Sequence, residues 1–130
     1  MLHASPELID SSAGIRGEKI AIVDDNEEFC SIISKIMEVN GFRPPIVAYD
    51  GDQIVDAVVN NSASPDVIVM DYIMPGKNGA EAARIISQKR PEIQIIFASS
   101  REEAKEAAQK GGFRFIKKPF SFRALVEMLS

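Results

Sequence analysis

Acidic side chains end two of the apolar runs in this sequence. Asp24 and Asp25 close the first run, and Asp71 closes the third, inside the stretch VMDYIMPGKNG of residues 69–79. Aspartate is a covalent nucleophile towards phosphoryl groups, and carboxylates are among the oxygen ligands that Mg2+ prefers. These residue types therefore point to phosphoryl chemistry, provided that the fold brings them together.

The fourth and fifth apolar runs end in groups that can bind a phosphoryl oxygen. Ser99 and Ser100 follow the fourth run, and Lys117 and Lys118 follow the fifth. Hydroxyl and ammonium groups stabilise the charge of a transferring phosphoryl group. Taken one at a time, all of these residues have a structural explanation: aspartate and serine cap helices, aspartate also forms turns, and most lysines are exposed at the surface.

Five short apolar runs alternate with segments of helical periodicity. This alternation predicts an α/β fold, in which a parallel sheet carries helices on both faces. We expect the doubly wound, flavodoxin-like strand order 2-1-3-4-5, because the first and third runs are the most continuously apolar and Pro44-Pro45 places the second strand at an edge. The predicted strands lie at residues 19–23, 46–48, 66–70, 93–98 and 113–116.

In such a sheet, ligands bind beyond the carboxyl ends of the strands, beside the point where the strand order reverses. The predicted topology brings the acidic, hydroxyl and amine groups to that one rim. Carboxylates brought so close together repel each other and resist ionisation unless a cation shares the site. One Mg2+ ion and one lysine would balance the charge of Asp24, Asp25 and Asp71.

Composition limits the classes of function. The chain has 130 residues, of which 45% are hydrophobic and 26% charged, and these values are ordinary for one globular domain. Its net charge of -4 argues against binding nucleic acid through the phosphates. No apolar run approaches the roughly 18–20 residues of a membrane helix. Residues 1–17 lack a secretory signal pattern, so we expect a polar, disordered tail followed by one domain at 18–130, in the cytoplasm.

The single cysteine and the single histidine exclude further chemistry. Cys30 alone can form neither a disulfide framework nor a zinc-binding cysteine cluster, and its position in a helical pattern predicts a small buried thiol. His3 lies in the predicted tail. A Ser-His-Asp or Cys-His nucleophile system, or a multi-histidine metal site, is therefore not expected.

Taken together, these stretches resemble the response-regulator receiver domain of two-component signalling. The resemblance covers residues 18–130 and rests on IVDDNEE (22–28), VMDYIMPGKNG (69–79), IIFASS (95–100) and FIKKPF (115–120). It implies that Asp71 is the phosphoacceptor and that Asp24, Asp25, Asp71 and the backbone carbonyl of Ile73 hold Mg2+.

The resemblance also assigns the stabilising and switching residues. Lys118 and Ser99 would stabilise the phosphoryl group, and the choice of Lys118 over Lys117 rests on the resemblance alone. Ser99 and Phe115 would form the switch, and a cis bond is expected between Lys118 and Pro119.

Partners follow from the same resemblance. A sensor histidine kinase or a phosphotransfer protein would donate the phosphoryl group, and a downstream protein would bind the surface of the fourth helix, fifth strand and fifth helix. The domain would catalyse transfer of the phosphoryl group onto its own aspartate and the slow hydrolysis of the resulting aspartyl phosphate, without being a turnover enzyme.

Three features depart from the family pattern: a short segment between Ser99 and Gly111, Phe115 in place of the commoner tyrosine, and Arg101 near the rim. Ile73 and Arg101 are candidate modulators.

Two alternatives stay open. A pseudo-receiver would use the same fold purely as an interaction module, and the short fourth-helix region is its best support. A hydrolase acting through Asp71 would need a general acid–base near the acceptor, and the sequence offers none there. Because the chain ends at Ser130, soon after the last helix, we expect either a free-standing receiver or part of a larger protein.

Overall fold

Strands and helices alternate throughout the computed structural model, which describes residues 17–60, 62–74 and 78–129. The strands are β1 (Ile20–Val23), β2 (Ile46–Ala48), β3 (Val67–Asp71), β4 (Gln94–Ser99) and β5 (Arg114–Lys117). The helices are α1 (Glu27–Val39), α2 (Gly51–Val59), α3 (Gly79–Lys89), α4 (Glu102–Lys110) and α5 (Phe122–Leu129). The bounds of each strand lie within one residue of the predicted run.

The strands form one parallel sheet in the order β2-β1-β3-β4-β5, as predicted. The strand preceded by two prolines, β2, lies at an edge, where a missing backbone donor does not interrupt a ladder. The strand order reverses at β1, whose neighbours are β2 and β3. The carboxyl ends of β1 and β3 therefore border the crevice in which this class of sheet binds ligands.

Side chains alternate between the two faces of the sheet and build two separate cores. Ile20 and Ile22 of β1 pack with α1 and α5, whereas Ala21 and Val23 pack with α2 and α3. The same alternation runs through β3 and β4. Both faces are covered by helices, which explains why the strands are continuously apolar in the sequence.

The helices begin and end at residues suited to those positions. Asn26, Asp50 and Asn78 are the N-caps of α1, α2 and α3, and each side chain accepts a hydrogen bond from a backbone N–H in the first turn. Gly41 follows α1 and Gly112 follows α4, both with a φ of 81°, the left-handed conformation that glycine adopts without strain. These two glycines therefore end α1 and α4.

Gly79, the first residue of α3, lies against the backbone that follows β3. A Cβ atom at this position would approach the carbonyl oxygen of Asp71 to 2.7 Å and that of Tyr72 to 2.9 Å. Because both contacts are with backbone, we expect Gly79→Ala to lower the free energy of unfolding by about 1–3 kcal/mol, measured by urea denaturation. Gly17→Ala is the control, since a Cβ there meets nothing within 4 Å. Equal stability of Gly79→Ala and the wild type would contradict this packing.

Candidate functional site

Three carboxylates converge at the carboxyl ends of β1 and β3. Asp24 and Asp25 follow β1, and Asp71 is the last residue of β3. Ligand oxygens of Asp24, Asp25 and Asp71 all lie within 4.8 Å of one another. Asp24 is buried, Asp71 is partly buried and Asp25 is exposed, so the cluster opens to solvent on one side.

The simpler structural explanations of these residues are wrong in most cases. Asn26, and neither of the preceding aspartates, caps α1. The N-cap of α4 is Arg101, which makes no capping side-chain hydrogen bond. Asp71 lies inside β3, where it pairs with Ala98, and is not a turn residue. Asp24 and Ser99 do form local turns, because each accepts a hydrogen bond from the backbone N–H two residues on, at Asn26 and Arg101. Helix capping therefore does not explain the positions of these groups.

Lys118 places its ammonium group between two of the carboxylates. Its Nζ donates a hydrogen bond to Asp24 Oδ2 at 2.7 Å and lies 3.6 Å from Asp71 Oδ2. The backbone N–H of Lys118 donates to the carbonyl of Ser99, and the Lys118–Pro119 bond is cis, as expected. The side chain is only 26% exposed, so it is not an ordinary surface amine. The neighbouring Lys117 is exposed.

The surroundings of Asp71 raise the pKa of its carboxyl. Burial raises the pKa of Asp71, the Lys118 ammonium lowers it, and the charge of Asp24 raises it again. The backbone N–H of Ile73 donates to the Asp71 carboxylate and also lowers its pKa. The net direction is upward, because burial is the largest effect. A cation beside this carboxylate would favour its ionised form.

The remaining predicted residues lie at the end of β4, on β5 and in the segments that follow β3 and β4. Ser99 is buried at the end of β4, and its hydroxyl accepts a hydrogen bond from the Arg101 N–H at 3.1 Å. Phe115 is partly buried against the core formed with α2 and α3. Ile73 is 52% exposed, and Arg101 is exposed at the start of α4. Ser100 is exposed as well.

Two contacts at the site were not anticipated from the sequence. Phe29 places its ring 5.2 Å from Lys118 Nζ, and the Cys30 thiol donates a hydrogen bond to the backbone carbonyl of Asp24. Burial, followed by the charge of Asp24, raises the pKa of Cys30 to about 11, so this thiol is a packing group, as predicted. The sequence feature that could have indicated the Phe29 contact is its position in the first turn of the helix that follows the aspartate pair.

The acidic cluster fits a magnesium ion by its donor chemistry. The oxygens of Asp24, Asp25 and Asp71 are hard ligands within reach of one cation, and the exposed side of the cluster leaves room for the waters that Mg2+ retains. The Lys118 ammonium supplies only one positive charge against three carboxylates. A divalent cation would therefore relieve the repulsion among them.

A family model described as the response regulator receiver domain matches residues 20–130. Among curated proteins, the transcriptional regulatory protein CpxR of Escherichia coli (strain K12) is 33% identical over 110 residues, covering 83% of this chain and 46% of CpxR. The chain thus spans less than half the length of the curated relatives that it matches. In the part of the chain that the structure describes, no helix is long and apolar enough to cross a membrane.

Solved structures of receiver domains align with most of this chain. The Francisella response regulator 1452 receiver domain aligns with a TM-score of 0.74 and 28% identity, covering 86% of this chain and 93% of that one. Thermotoga maritima TrrA, solved in complex with Mg2+-BeF, aligns with a TM-score of 0.75 over 86% of this chain and 96% of its own, and at 22% identity it supports the fold. The chain belongs to the response-regulator receiver domain family.

Proposed function

We propose that this domain accepts a phosphoryl group on Asp71, with Mg2+ held by Asp24, Asp25, Asp71 and the backbone carbonyl of Ile73. The observation that carries the proposal is the meeting of the acidic cluster with the Lys118 ammonium at the carboxyl ends of β1, β3 and β5. Receiver domains are signalling modules of two-component systems and not turnover enzymes. The proposed chemistry is therefore one transfer event that changes the state of the domain.

In the proposed reaction, a carboxylate oxygen of Asp71 attacks the phosphorus atom of the donor. The new O–P bond forms as the bond between phosphorus and the leaving group, a histidine nitrogen or an acyl oxygen, breaks. The bound metal ion would supply positive charge to the phosphoryl oxygens. Lys118 Nζ, 3.6 Å from Asp71 Oδ2, is placed to pair with a phosphoryl oxygen, and the Ser99 hydroxyl is a further donor.

The switch would begin at Ser99 and pass to Phe115. Moving the Ser99 hydroxyl towards a phosphoryl oxygen removes the acceptor that now binds the Arg101 N–H, at the start of α4. Phe115 lies on β5, next to β4, and can repack into space that the serine side chain leaves. The surface of α4, β5 and α5 would then favour a downstream partner, with a coupling of about 1–3 kcal/mol between phosphorylation and binding.

We infer a sensor histidine kinase or a phosphotransfer protein as donor, and a location in the cytoplasm, with no direct contact to nucleic acid or membrane. We place the receiver at residues 18–130, consistent with the family match at 20–130. The predicted polar tail, residues 1–17, lies outside the described residues except for Gly17 and stays a prediction.

Intact-mass spectrometry after incubation with acetyl phosphate tests the proposed chemistry. We expect one phosphate adduct with Mg2+ and none when the metal is removed by a chelator. An adduct of equal yield without Mg2+ would contradict the proposed metal site. Failure to form any adduct, with Mg2+ binding also absent, would favour a pseudo-receiver that acts through its surface alone.

Arg101 and Ile73 are proposed to modulate the lifetime of the phosphorylated state. Arg101 is exposed and lies two residues after Ser99, whose hydroxyl accepts a hydrogen bond from its backbone N–H. An exposed ion pair contributes up to about 1 kcal/mol, so we expect Arg101→Ala to shorten the lifetime by up to about 5-fold. The decay of the phosphate adduct after removal of the donor measures this. Lys110→Ala, at the far end of α4, is the control, and an unchanged lifetime in Arg101→Ala would contradict the role.

A further inference from the structure

Phe29 contacts the ammonium group that faces the acidic cluster. The residue lies in the first turn of α1, where its backbone N–H donates to the Asn26 cap. Lys118 Nζ lies 5.2 Å from the centre of the Phe29 ring. This distance is within the range of a cation–π interaction, about 6 Å. The ring therefore acts directly on the cation that the proposed chemistry uses.

A second aromatic ring fixes Phe29 in place. Phe120, two residues after Lys118, meets Phe29 edge to face, with ring centres 5.9 Å apart and an interplanar angle of 79°. Both rings pack against the core formed with α1 and α5. Edge-to-face pairs add about 0.5–1.5 kcal/mol beyond the area that they bury. Phe29 is thus held by contacts with Phe120 and the core in addition to its contact with the lysine.

The lysine needs such support, because its side chain is long and flexible. An ammonium group on four methylene carbons loses rotamer freedom when it is held in one place. On the side of the acidic cluster, Nζ donates a hydrogen bond to Asp24 Oδ2 at 2.7 Å and lies 3.6 Å from Asp71 Oδ2. The Phe29 ring lies against the same nitrogen and limits the side-chain conformations that would carry it into solvent. An aliphatic side chain would fill the volume without attracting the charge.

We propose that Phe29 is a positioning residue for Lys118: its ring face holds the ammonium group where it can pair with the phosphoryl group on Asp71. The part concerning the phosphoryl group rests on the proposed function. The part concerning the position of Lys118 does not. Two measurements keep these parts separate.

The first measurement is the NMR signal of the Lys118 ε-methylene protons in metal-free, unphosphorylated protein. A nearby ring face shields these protons, so we expect their shifts to move towards ordinary lysine values in Phe29→Leu and to stay in place in Phe29→Tyr, which keeps the ring. Unchanged shifts in Phe29→Leu would overturn the proposal. This measurement holds even if the protein takes up no phosphate.

The second measurement is the rate of labelling by acetyl phosphate with Mg2+. A cation–π contact of ordinary strength corresponds to roughly a 3- to 10-fold slower rate in Phe29→Leu, with recovery in Phe29→Tyr. Phe42→Leu is the control for lost core packing, since Phe42 belongs to the same apolar cluster and meets Phe122 edge to face. We expect this variant to label at the wild-type rate while it remains folded.

A double-mutant cycle then shows whether Phe29 affects the labelling rate through Lys118. If Phe29 acts through Lys118, Phe29→Leu has no further effect on labelling when Lys118 is already alanine. The same loss in both backgrounds, or a loss in Phe42→Leu equal to that in Phe29→Leu, would show a role in packing alone and overturn the proposal. Loss of labelling in every protein, with the NMR signature intact, would instead reject the proposed function and retain the position of Lys118.

Discussion

Asp71→Asn is expected to show no Mg2+-dependent phosphate adduct after incubation with acetyl phosphate. The amide is close to the carboxylate in shape but has no anionic oxygen to attack phosphorus. Intact-mass spectrometry measures the result directly. Asp56→Asn is the matched control, because Asp56 is exposed on α2 and its carboxylate accepts a hydrogen bond from the Asn60 side chain. Undiminished labelling of Asp71→Asn would show that the acceptor is another residue.

The same substitution is expected to stabilise the metal-free protein at neutral pH. Burial raises the pKa of Asp71 above its ordinary value of 3.8, so the ionised carboxylate weakens the folded state relative to the unfolded chain. This penalty is absent below pH 3.8, appears as the pH rises and is complete above the raised pKa. Urea denaturation in chelator at low and neutral pH measures it. A variant that is less stable than the wild type at neutral pH would contradict this electrostatic picture.

Lys118→Met is expected to weaken both phosphorylation and the fold. Loss of one preorganised charge at a transferring phosphoryl group costs about 100- to 1000-fold in rate, so labelling by acetyl phosphate should slow by roughly that factor. Asp24, whose side chain is 3% exposed, also loses the ammonium that pairs with it at 2.7 Å. Leaving a buried charge unpaired costs about 3–5 kcal/mol, and we expect metal-free Lys118→Met to be destabilised towards the lower end, because the Asn26 N–H still donates to Asp24.

The adjacent lysine provides the control for this variant. Lys117 is exposed at the end of β5, so Lys117→Met should retain the labelling rate and the stability of the wild type. Saturating Mg2+ should recover part of the stability that Lys118→Met loses, since the metal restores positive charge beside Asp24. Equal effects of the two substitutions on labelling would contradict the assignment of Lys118.

The sequence was sufficient to predict the sheet and the place where the carboxylates meet. Continuous apolar runs identified the buried strands, and the prolines before Ile46 identified the edge strand. Once the order was known, the carboxyl ends of β1 and β3 had to lie side by side. The convergence of Asp24, Asp25 and Asp71 then followed from the topology, without any side-chain detail.

Details that depend on side-chain direction could not be obtained in this way. Composition does not distinguish Lys117 from Lys118, and only the packed structure shows which one turns towards Asp24. Likewise, apolar periodicity cannot reveal the role of Phe29, because a ring that packs and a ring that also contacts a cation have the same apolar pattern. The contact joins Phe29 in α1 to Lys118 just after β5, and these two residues lie 89 positions apart in the sequence.

Chemical trapping of the acceptor tests the central claim most directly. Borohydride reduces an aspartyl phosphate to homoserine, so the wild-type protein, labelled with acetyl phosphate and Mg2+ and then reduced, can be sequenced by tandem mass spectrometry. We predict homoserine at position 71 and aspartate at every other aspartate position. Homoserine at another position, or unmodified aspartate at position 71 in protein that carries the phosphate adduct, would contradict the account.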